Sequence, residues 1–123
     1  MNKEVYFFDT YAIVETLKGN SSYERFKGSQ AIISTFNLAE LHLHLTRIFG
    51  VQVATVSLEE YSNCVAGFEI NDFIEATNFK LKNAKKNFSI PDSIGYSMSK
   101  RLGIKFLTGD KSFQNLENVE FVK

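Results

Sequence analysis

Short apolar runs alternate along the chain with stretches whose apolar residues recur at helical spacing. Val5 to Phe8 predicts a short buried strand, and Thr10 to Leu17 predicts a helix closed by Gly19, a residue type that readily ends helices. A short helix is predicted around Tyr23 to Phe26, and Ala31 to Ser34 predicts a second strand. The chain therefore begins as strand, helix, helix, strand.

The most regular periodicity lies between Thr35 and Gly50. Thr35 is expected to cap a long helix that Gly50 ends, because apolar residues recur between them at helical spacing. These residues are Leu38, Leu41, Leu45 and Ile48. The β-branched run Val51 to Val56 fits a strand or a helix equally well, while Ser57 and Glu60 have the spacing of a capping box.

The rest of the chain predicts two more helices and two strands. Pro91 suits the first position of a helix that Gly103 ends, and Ile104 to Leu107 and Val119 to Val122 predict the strands. An earlier helical face is marked by Ile70, Phe73, Ile74, Thr77, Leu81, Ala84 and Phe88. The full order, β-α-α-β-α-α-α-α-β-β, favours an α/β fold with a central, mostly parallel sheet and ligands at the carboxyl ends of its strands.

Composition limits the size and the partners of this fold. At 123 residues and 44% hydrophobic, the chain is expected to form a single domain over residues 1–123. Fourteen basic and fourteen acidic residues give zero net charge, so any nucleic-acid contact must depend on local patches. The single cysteine, Cys64, excludes an internal disulfide and fits a reducing cytoplasm. The apolar run near the amino terminus is far shorter than the ~20 residues that span a bilayer, so no membrane association is expected.

Four acidic residues stand at places where such a fold concentrates its chemistry. Asp9 directly follows the strand VYFF, and Asp110 follows the strand IKFL in a TGD turn. Asp92 lies at the start of the helix that follows Pro91, and Glu40 lies within the long third helix. If the fold brings them together, the sequence predicts an acidic site.

Such a cluster has a chemical reason in phosphodiester hydrolysis. Carboxylates bind the hard ions Mg²⁺ and Mn²⁺, which keep several waters, and one of these waters becomes the nucleophile. Two ions about 4 Å apart stabilise both the attacking and the leaving oxygen. Without metal the carboxylates repel one another, so metal is expected to stabilise the fold.

Each acid also has an ordinary structural interpretation. Asp92 would complement a helix dipole, and Asp110 would serve as a turn residue. Glu40 falls with Asn37 and His44 on the polar side of its helix, and for Glu40 taken alone that reading is favoured. Asp9 is harder to explain in this way, because a charge next to an apolar strand is rarely buried without a partner or a task.

In order and spacing, four segments resemble the PIN-domain ribonuclease family, and in particular its VapC-type toxins. They are FFDT, NLAEL, IPDSIGYSMSKRLGIKFLTGDKSF and VEFV, and together they cover nearly the whole chain. The resemblance implies a three-layer α/β/α fold and a Mg²⁺- or Mn²⁺-dependent endoribonuclease. It also implies a toxin with an antitoxin partner, and a homodimer. The stretch GYSMSK departs from the small apolar residues more common in the family.

The resemblance also assigns roles to individual residues. It implies that Asp9 and Asp92 bind the metal and that Glu40 and Asp110 complete the acidic pocket, often through water. Its hydroxyl positions match Thr10 and Thr108, which are therefore supporting candidates beside their local capping and turn-bonding roles.

Basic residues and histidines are the remaining candidates for substrate contact. Lys111, beside Asp110, is the best-placed phosphate contact. Two further basic patches are Lys80, Lys82, Lys85 and Lys86, and Lys100, Arg101 and Lys105. His42 and His44 point in different directions on a helix, so joint metal binding by them is not expected.

Two other classes of protein compete with the ribonuclease hypothesis. A PIN-like RNA-binding or assembly module would keep the fold without catalysis, although retention of all four acids argues against it. A phosphoacceptor receiver domain would need adjacent acids after the first strand and an Asp after a middle strand. Here Thr10 follows Asp9, and no Asp follows AIIS.

Overall fold

A computed structural model describes residues 3–123 as a four-stranded sheet enclosed by helices. The strands are β1 (Val5–Phe8), β2 (Gln30–Ile32), β3 (Lys105–Thr108) and β4 (Val119–Phe121). Their order across the sheet is β2-β1-β3-β4, and every pairing is parallel. The predicted α/β class is confirmed, with a sheet that is wholly parallel in the part of the chain described.

Five α-helices cover the two faces of this sheet. They are α1 (Thr10–Leu17), α2 (Thr35–Phe49), α3 (Val51–Tyr61), α4 (Ile70–Lys82) and α5 (Ile90–Leu102). Among residues 3–123, no helix is long and apolar enough to cross a membrane.

The alternation of side chains along β1 divides the core into two clusters. Phe8 packs with Leu107 and with buried residues of α1, α2 and α3 on one face of the sheet. Phe7 packs with Phe106 and with buried residues of α4 and α5 on the other. Because successive residues of a strand point to opposite faces, the run VYFF supplies both cores, and the architecture has three layers.

The register of the central pair determines where the site forms. Phe7 lies opposite Phe106 and Phe8 opposite Leu107, so β1 and β3 end at the same edge of the sheet. Asp9 follows β1 directly, and Asp110 follows β3 after one glycine. The two acids therefore leave neighbouring parallel strands side by side.

Several local predictions need correction. The cap of α2 is Ser34, whose Oγ accepts a hydrogen bond from the Asn37 amide, so Thr35 is the first helical residue. The ambiguous run Val51 to Val56 is helical and belongs to α3. Ser57 caps nothing and is buried inside α3, since that helix begins directly after Gly50.

The predicted helical face after residue 70 is also too long. The α4 helix ends at Lys82, beyond which Ala84 lies in a short 3-10 turn and Phe88 in the loop before α5. The true capping box of α4 is formed by Glu69 and Asp72. Apolar spacing predicted the helix but not its end, because Phe88 keeps the helical period while packing from a loop.

Candidate active site

Asp9 lies at the junction between β1 and α1, where its backbone amide donates a hydrogen bond to the Leu107 carbonyl at 3.0 Å. Its side chain is only 3% exposed. Carboxylate oxygen Oδ2 accepts a hydrogen bond from the Thr108 hydroxyl at 2.7 Å, whereas Oδ1 is buried without a hydrogen-bond partner. A buried carboxylate with one unpaired oxygen is costly, so this atom is suited to a proton, a water or a cation.

Asp92 approaches Asp9 from the first turn of α5. The Ser89 Oγ caps this helix by accepting a hydrogen bond from the Asp92 amide at 3.1 Å, which fixes where the Asp92 side chain begins. Asp9 and Asp92 line the same small cavity, and the charge of Asp92 acts on the ionisation of Asp9. Two ionised carboxylates that share one desolvated cavity repel each other, and a proton or a cation relieves that repulsion.

The electrostatics of the pair follow from burial and mutual repulsion. Burial and the Asp92 carboxylate raise the pKa of Asp9 well above its ordinary value, although the Thr108 hydrogen bond opposes the shift. Burial also raises the pKa of Asp92, against the opposing contacts with Asp9 and Ser89. The site therefore prefers a neutralised to a fully ionised pair.

All four predicted acids line one cavity of about 280 Å³. Glu40 faces it from α2, and burial and the Asp92 charge raise the pKa of this carboxyl. Asp110 faces it from the turn after β3, where its Oδ1 accepts a hydrogen bond from the Ser112 amide at 2.9 Å. The remaining lining residues are Thr10, Tyr11, Val14, Glu15, His44, Ile48 and Ser89.

The two threonines occupy different positions. Thr10 lines the cavity, and its hydroxyl accepts a hydrogen bond from the Asn37 Nδ2 at 3.4 Å. Thr108 is completely buried, and its hydroxyl both donates to Asp9 and accepts from the Asp110 amide at 3.0 Å. These contacts indicate that Thr108 positions Asp9 and Asp110. They do not favour the predicted contact between Thr108 and substrate.

Sequence reasoning missed two supporting residues. The capping role of Ser89 had a signal, because SIPD has the S-x-x-D spacing of a helix start with proline in the first turn. Asn37 had no such signal, since it looked like one more polar residue on a helix. In the structure it is 2% exposed, and its Oδ1 accepts a hydrogen bond from the Ser34 hydroxyl at 2.6 Å.

The two histidines are separated, as expected from their spacing. His44 is exposed and lines the acidic cavity. His42 instead contacts Thr55 of α3, with 3.1 Å between Nε2 and Oγ1. His42 therefore joins α2 to α3 and does not face the acids.

The basic patches are partly neutralised. Lys100 pairs with Glu117 at 2.7 Å, and Arg101 pairs with Asp72 at 2.8 Å, so these two are not free to hold phosphates. The Lys80 ammonium donates to the Phe88 carbonyl and fixes the loop before α5. Lys111 is exposed and makes no salt bridge within residues 3–123, although it does not line the cavity.

A larger cavity of about 620 Å³ lies between α4 and α5, and its chemistry differs from that of the acidic cavity. Its buried acid, Asp72, receives two hydrogen bonds from Arg101 at 2.8 and 3.0 Å and also caps α4. Because this charge is satisfied by the protein itself, the smaller acidic cavity is the candidate active site.

Comparison with known proteins agrees with this architecture. A family model described as PIN domain matches residues 6–119. The chain belongs to the PIN domain family. The matched region contains all four acids and every strand-helix junction described above, so the resemblance seen in the sequence is confirmed.

Solved structures share the PIN fold over nearly their whole length. A toxin–antitoxin complex from Klebsiella pneumoniae gives a TM-score of 0.72 at 14% identity, covering 94% of this chain and 95% of that one. VapC20 of Mycobacterium tuberculosis, a sarcin-ricin loop cleaving toxin, gives 0.71 at 18% identity, covering 95% and 99%. VapBC2 of Rickettsia felis, bound to a DNA fragment from its promoter, gives 0.68 at 18% identity, covering 97% and 99%. No curated protein sequence matches the chain.

Proposed function

We propose that this PIN domain is a divalent-metal-dependent endoribonuclease that hydrolyses RNA phosphodiester bonds. The observation that carries the proposal is the buried Asp9 carboxylate, which has an unsatisfied oxygen and lies in a cavity that Glu40, Asp92 and Asp110 also line. A structural acid would have its oxygens paired, as Asp72 does with Arg101. An unpaired cluster of carboxylates is suited to a cation.

The donor set fits Mg²⁺ or Mn²⁺. Asp9 and Asp92 would hold the ion directly, and Glu40 and Asp110 would complete the pocket through water. Within residues 3–123, no three His, Cys, Asp or Glu side chains are grouped closely enough to hold a metal by themselves. This agrees with the behaviour of Mg²⁺, which keeps several waters and takes one or two protein carboxylates together with substrate phosphates.

The bound ion would supply an activated water and neutralise charge on the phosphodiester. The protein's own groups keep the ligands in place, since Thr108 orients Asp9 and Ser89 fixes the start of the Asp92 side chain. The Thr10 hydroxyl accepts from Asn37, so its own proton is free to donate to a phosphate oxygen at the cavity wall. Lys111 lies one residue beyond Asp110 and would contact a neighbouring phosphate.

The cellular role proposed for this nuclease is that of a toxin held inactive by an antitoxin. Two of the similar structures are described as a toxin–antitoxin complex and as a toxin that cleaves the sarcin-ricin loop. We extend that role to this chain, with a homodimer as the assembly. A non-catalytic RNA-binding or assembly module is the alternative, and the unsatisfied Asp9 oxygen favours catalysis over it.

The test is cleavage of labelled total RNA by the purified protein in Mg²⁺, Mn²⁺ or excess chelator, beside an Asp9→Asn variant. That variant removes one ligand charge and keeps its shape. We expect cleavage with either metal, none with chelator and a loss of at least about 100-fold in the variant, because a direct ligand is removed.

A matched control removes an acid elsewhere on the surface. Glu24 pairs with Lys27 on the protein exterior, so Glu24→Gln should cleave like the wild type. Cleavage that survives chelation, or that Asp9→Asn leaves intact, would refute the mechanism. Absence of cleavage with every RNA and both metals would favour the non-catalytic module.

A further inference from the structure

One wall of the acidic cavity is apolar. It is formed by Tyr11 and Val14 of α1 and by Ile48 of α2, which line the same cavity as the carboxylates. Tyr11 is 40% exposed and Ile48 is 47% exposed. Such a wall has no use in holding a metal ion, so it points to a second feature of the substrate.

The Tyr11 ring is held in position by the turn after β3. A Cβ atom placed on Gly109 would lie only 2.4 Å from the Tyr11 Cε1, so the ring edge lies directly against the glycine backbone. Within residues 3–123 the ring joins none of the aromatic pairs, and the hydroxyl makes no hydrogen bond. Tyr11 is thus a fixed aromatic surface open to the cavity.

The position of this ring relative to the acids suggests what it binds. Tyr11 is two residues from Asp9 and its side chain lines the same cavity. A nucleotide whose phosphate faces the carboxylates carries a planar base within one sugar of that phosphate. Aromatic rings stack on any base because every base has a π-face, and fixed rings lose little entropy on binding.

We propose that Tyr11 is a substrate-binding residue that stacks on the base next to the scissile phosphate. The inference rests on the proposed nuclease function, because it takes the acids as the phosphate end of the same site. A base must be unpaired to reach this wall, so a duplex would bind weakly.

The experiment measures RNA affinity and cleavage separately. Stopped-flow fluorescence anisotropy in Mg²⁺, read before cleavage begins, is recorded with a short labelled oligoadenylate and with an abasic ribose-phosphate oligomer of equal length. The proteins are the wild type, Tyr11→Phe, Tyr11→Leu and Tyr11→Ala. Tyr11→Leu keeps bulk against Gly109 without a planar ring, and thermal melting confirms that each variant folds.

We expect Tyr11→Phe to bind oligoadenylate like the wild type, and Tyr11→Leu and Tyr11→Ala to bind it roughly 5- to 100-fold more weakly. The abasic oligomer should bind all four proteins equally and weakly. Leu17→Ala is the matched control, since Leu17 is 38% exposed on the same helix and does not line the cavity.

Equal affinity of wild type and Tyr11→Ala for oligoadenylate would overturn the inference, and so would tight binding of the abasic oligomer or no RNA binding at all. If this wall instead binds a protein partner, wild type and Tyr11→Ala would have equal affinity for oligoadenylate, because RNA binding would not depend on Tyr11. Cleavage of total RNA, measured in parallel, distinguishes the two proposals. Tyr11-dependent binding without metal-dependent cleavage would refute the nuclease and leave the base contact standing.

Discussion

Thr108 connects Asp9, at the end of β1, to Asp110, in the turn after β3, through its side-chain hydroxyl. It is completely buried, and it donates to Asp9 Oδ2 at 2.7 Å while accepting from the Asp110 amide at 3.0 Å. One oxygen atom thus sets the spacing between the end of β1 and the turn after β3. The β1 strand determines where the Asp9 backbone lies, and the Thr108 hydroxyl orients the Asp9 carboxylate.

Replacing Thr108 by valine tests this role, because valine has the same shape without the hydroxyl. The Asp9 Oδ2 would lose the hydroxyl that donates to it, and the Asp110 amide would lose its acceptor. We expect the free energy of unfolding to fall by about 1 to 3 kcal/mol. RNA cleavage should fall about 10- to 100-fold, as for other residues that support metal ligands.

Thr108→Ser keeps the hydroxyl and should restore most of both properties. Thr77→Val makes the same substitution at an exposed site on α4, where the hydroxyl bonds only to the Ile74 carbonyl, and should change little. Urea denaturation and a cleavage assay measure the two effects. If Thr108→Val behaves like Thr77→Val, the positioning role is wrong.

At the scale of elements, the turn after β3 is closely packed at Gly109. A Cβ atom on Gly109 would lie 2.4 Å from the Tyr11 ring and 2.5 Å from both the Tyr23 hydroxyl and the Val122 carbonyl. The Tyr23 hydroxyl donates to that same carbonyl at 2.6 Å, which ties the end of β4 to the short 3-10 helix Ser21–Phe26 beside this turn. Glycine is required here because any side chain would collide with Tyr11, Tyr23 and the Val122 carbonyl.

We therefore expect Gly109→Ala to lower the free energy of unfolding by about 1 to 3 kcal/mol through overpacking, and to displace Asp110. Gly28→Ala is the matched control, because nothing lies within 4 Å of its added Cβ. Thermal denaturation of both variants measures the difference. An equal melting temperature for the two would contradict the close packing described at Gly109.

At the scale of the whole molecule, the acidic cluster makes stability depend on pH and on metal. Burial and neighbouring carboxylates raise the pKa values of Asp9, Asp92 and Glu40 above their unfolded values. The folded protein therefore keeps protons that the unfolded chain has already lost. Stability contributed by this protonation is complete at acidic pH and is lost as the pH rises through the folded-state values.

Without metal, we accordingly expect a lower melting temperature at about pH 8 than at about pH 5, because these carboxyl groups are more ionised at the higher pH. Mg²⁺ should replace the lost protons, so its stabilising effect should be larger at the higher pH. Calorimetry in chelator and in Mg²⁺ at both pH values measures this. Superimposable curves with and without metal at the higher pH would exclude a cation site among these acids.

The Asp9→Asn variant separates the acidic cluster from other titrating groups. Removing the buried charge should raise stability in chelator, flatten the pH dependence and weaken the effect of Mg²⁺. The variant would then be more stable and less active than the wild type. Higher stability with lower activity is expected when a mutation removes one of several mutually repelling charges that a site needs to bind its ligand.

The sequence by itself determined most of the secondary structure. The β1 strand and the α1 helix have the predicted bounds, and Gly50 and Gly103 end their helices where expected. These features depend on residues close in the chain, so local patterns suffice. The cap of α2 and the helical state of Val51 to Val56 were less accessible, because neighbouring residues offer alternative caps and β-branched runs fit either structure.

The sequence also placed the four acids, since a strand end or a helix start is visible in a local pattern. Only the tertiary structure decided that they line one cavity and that Asp9 keeps an unsatisfied oxygen. It also decided that Arg101 is paired with Asp72, whereas Lys111 makes no salt bridge within residues 3–123. The burial of Thr108 and the exposure of Tyr11 at the cavity are likewise properties of the tertiary structure. The physical reason is that burial and charge pairing arise between segments far apart in the chain, and no local pattern records which distant groups will share one desolvated space.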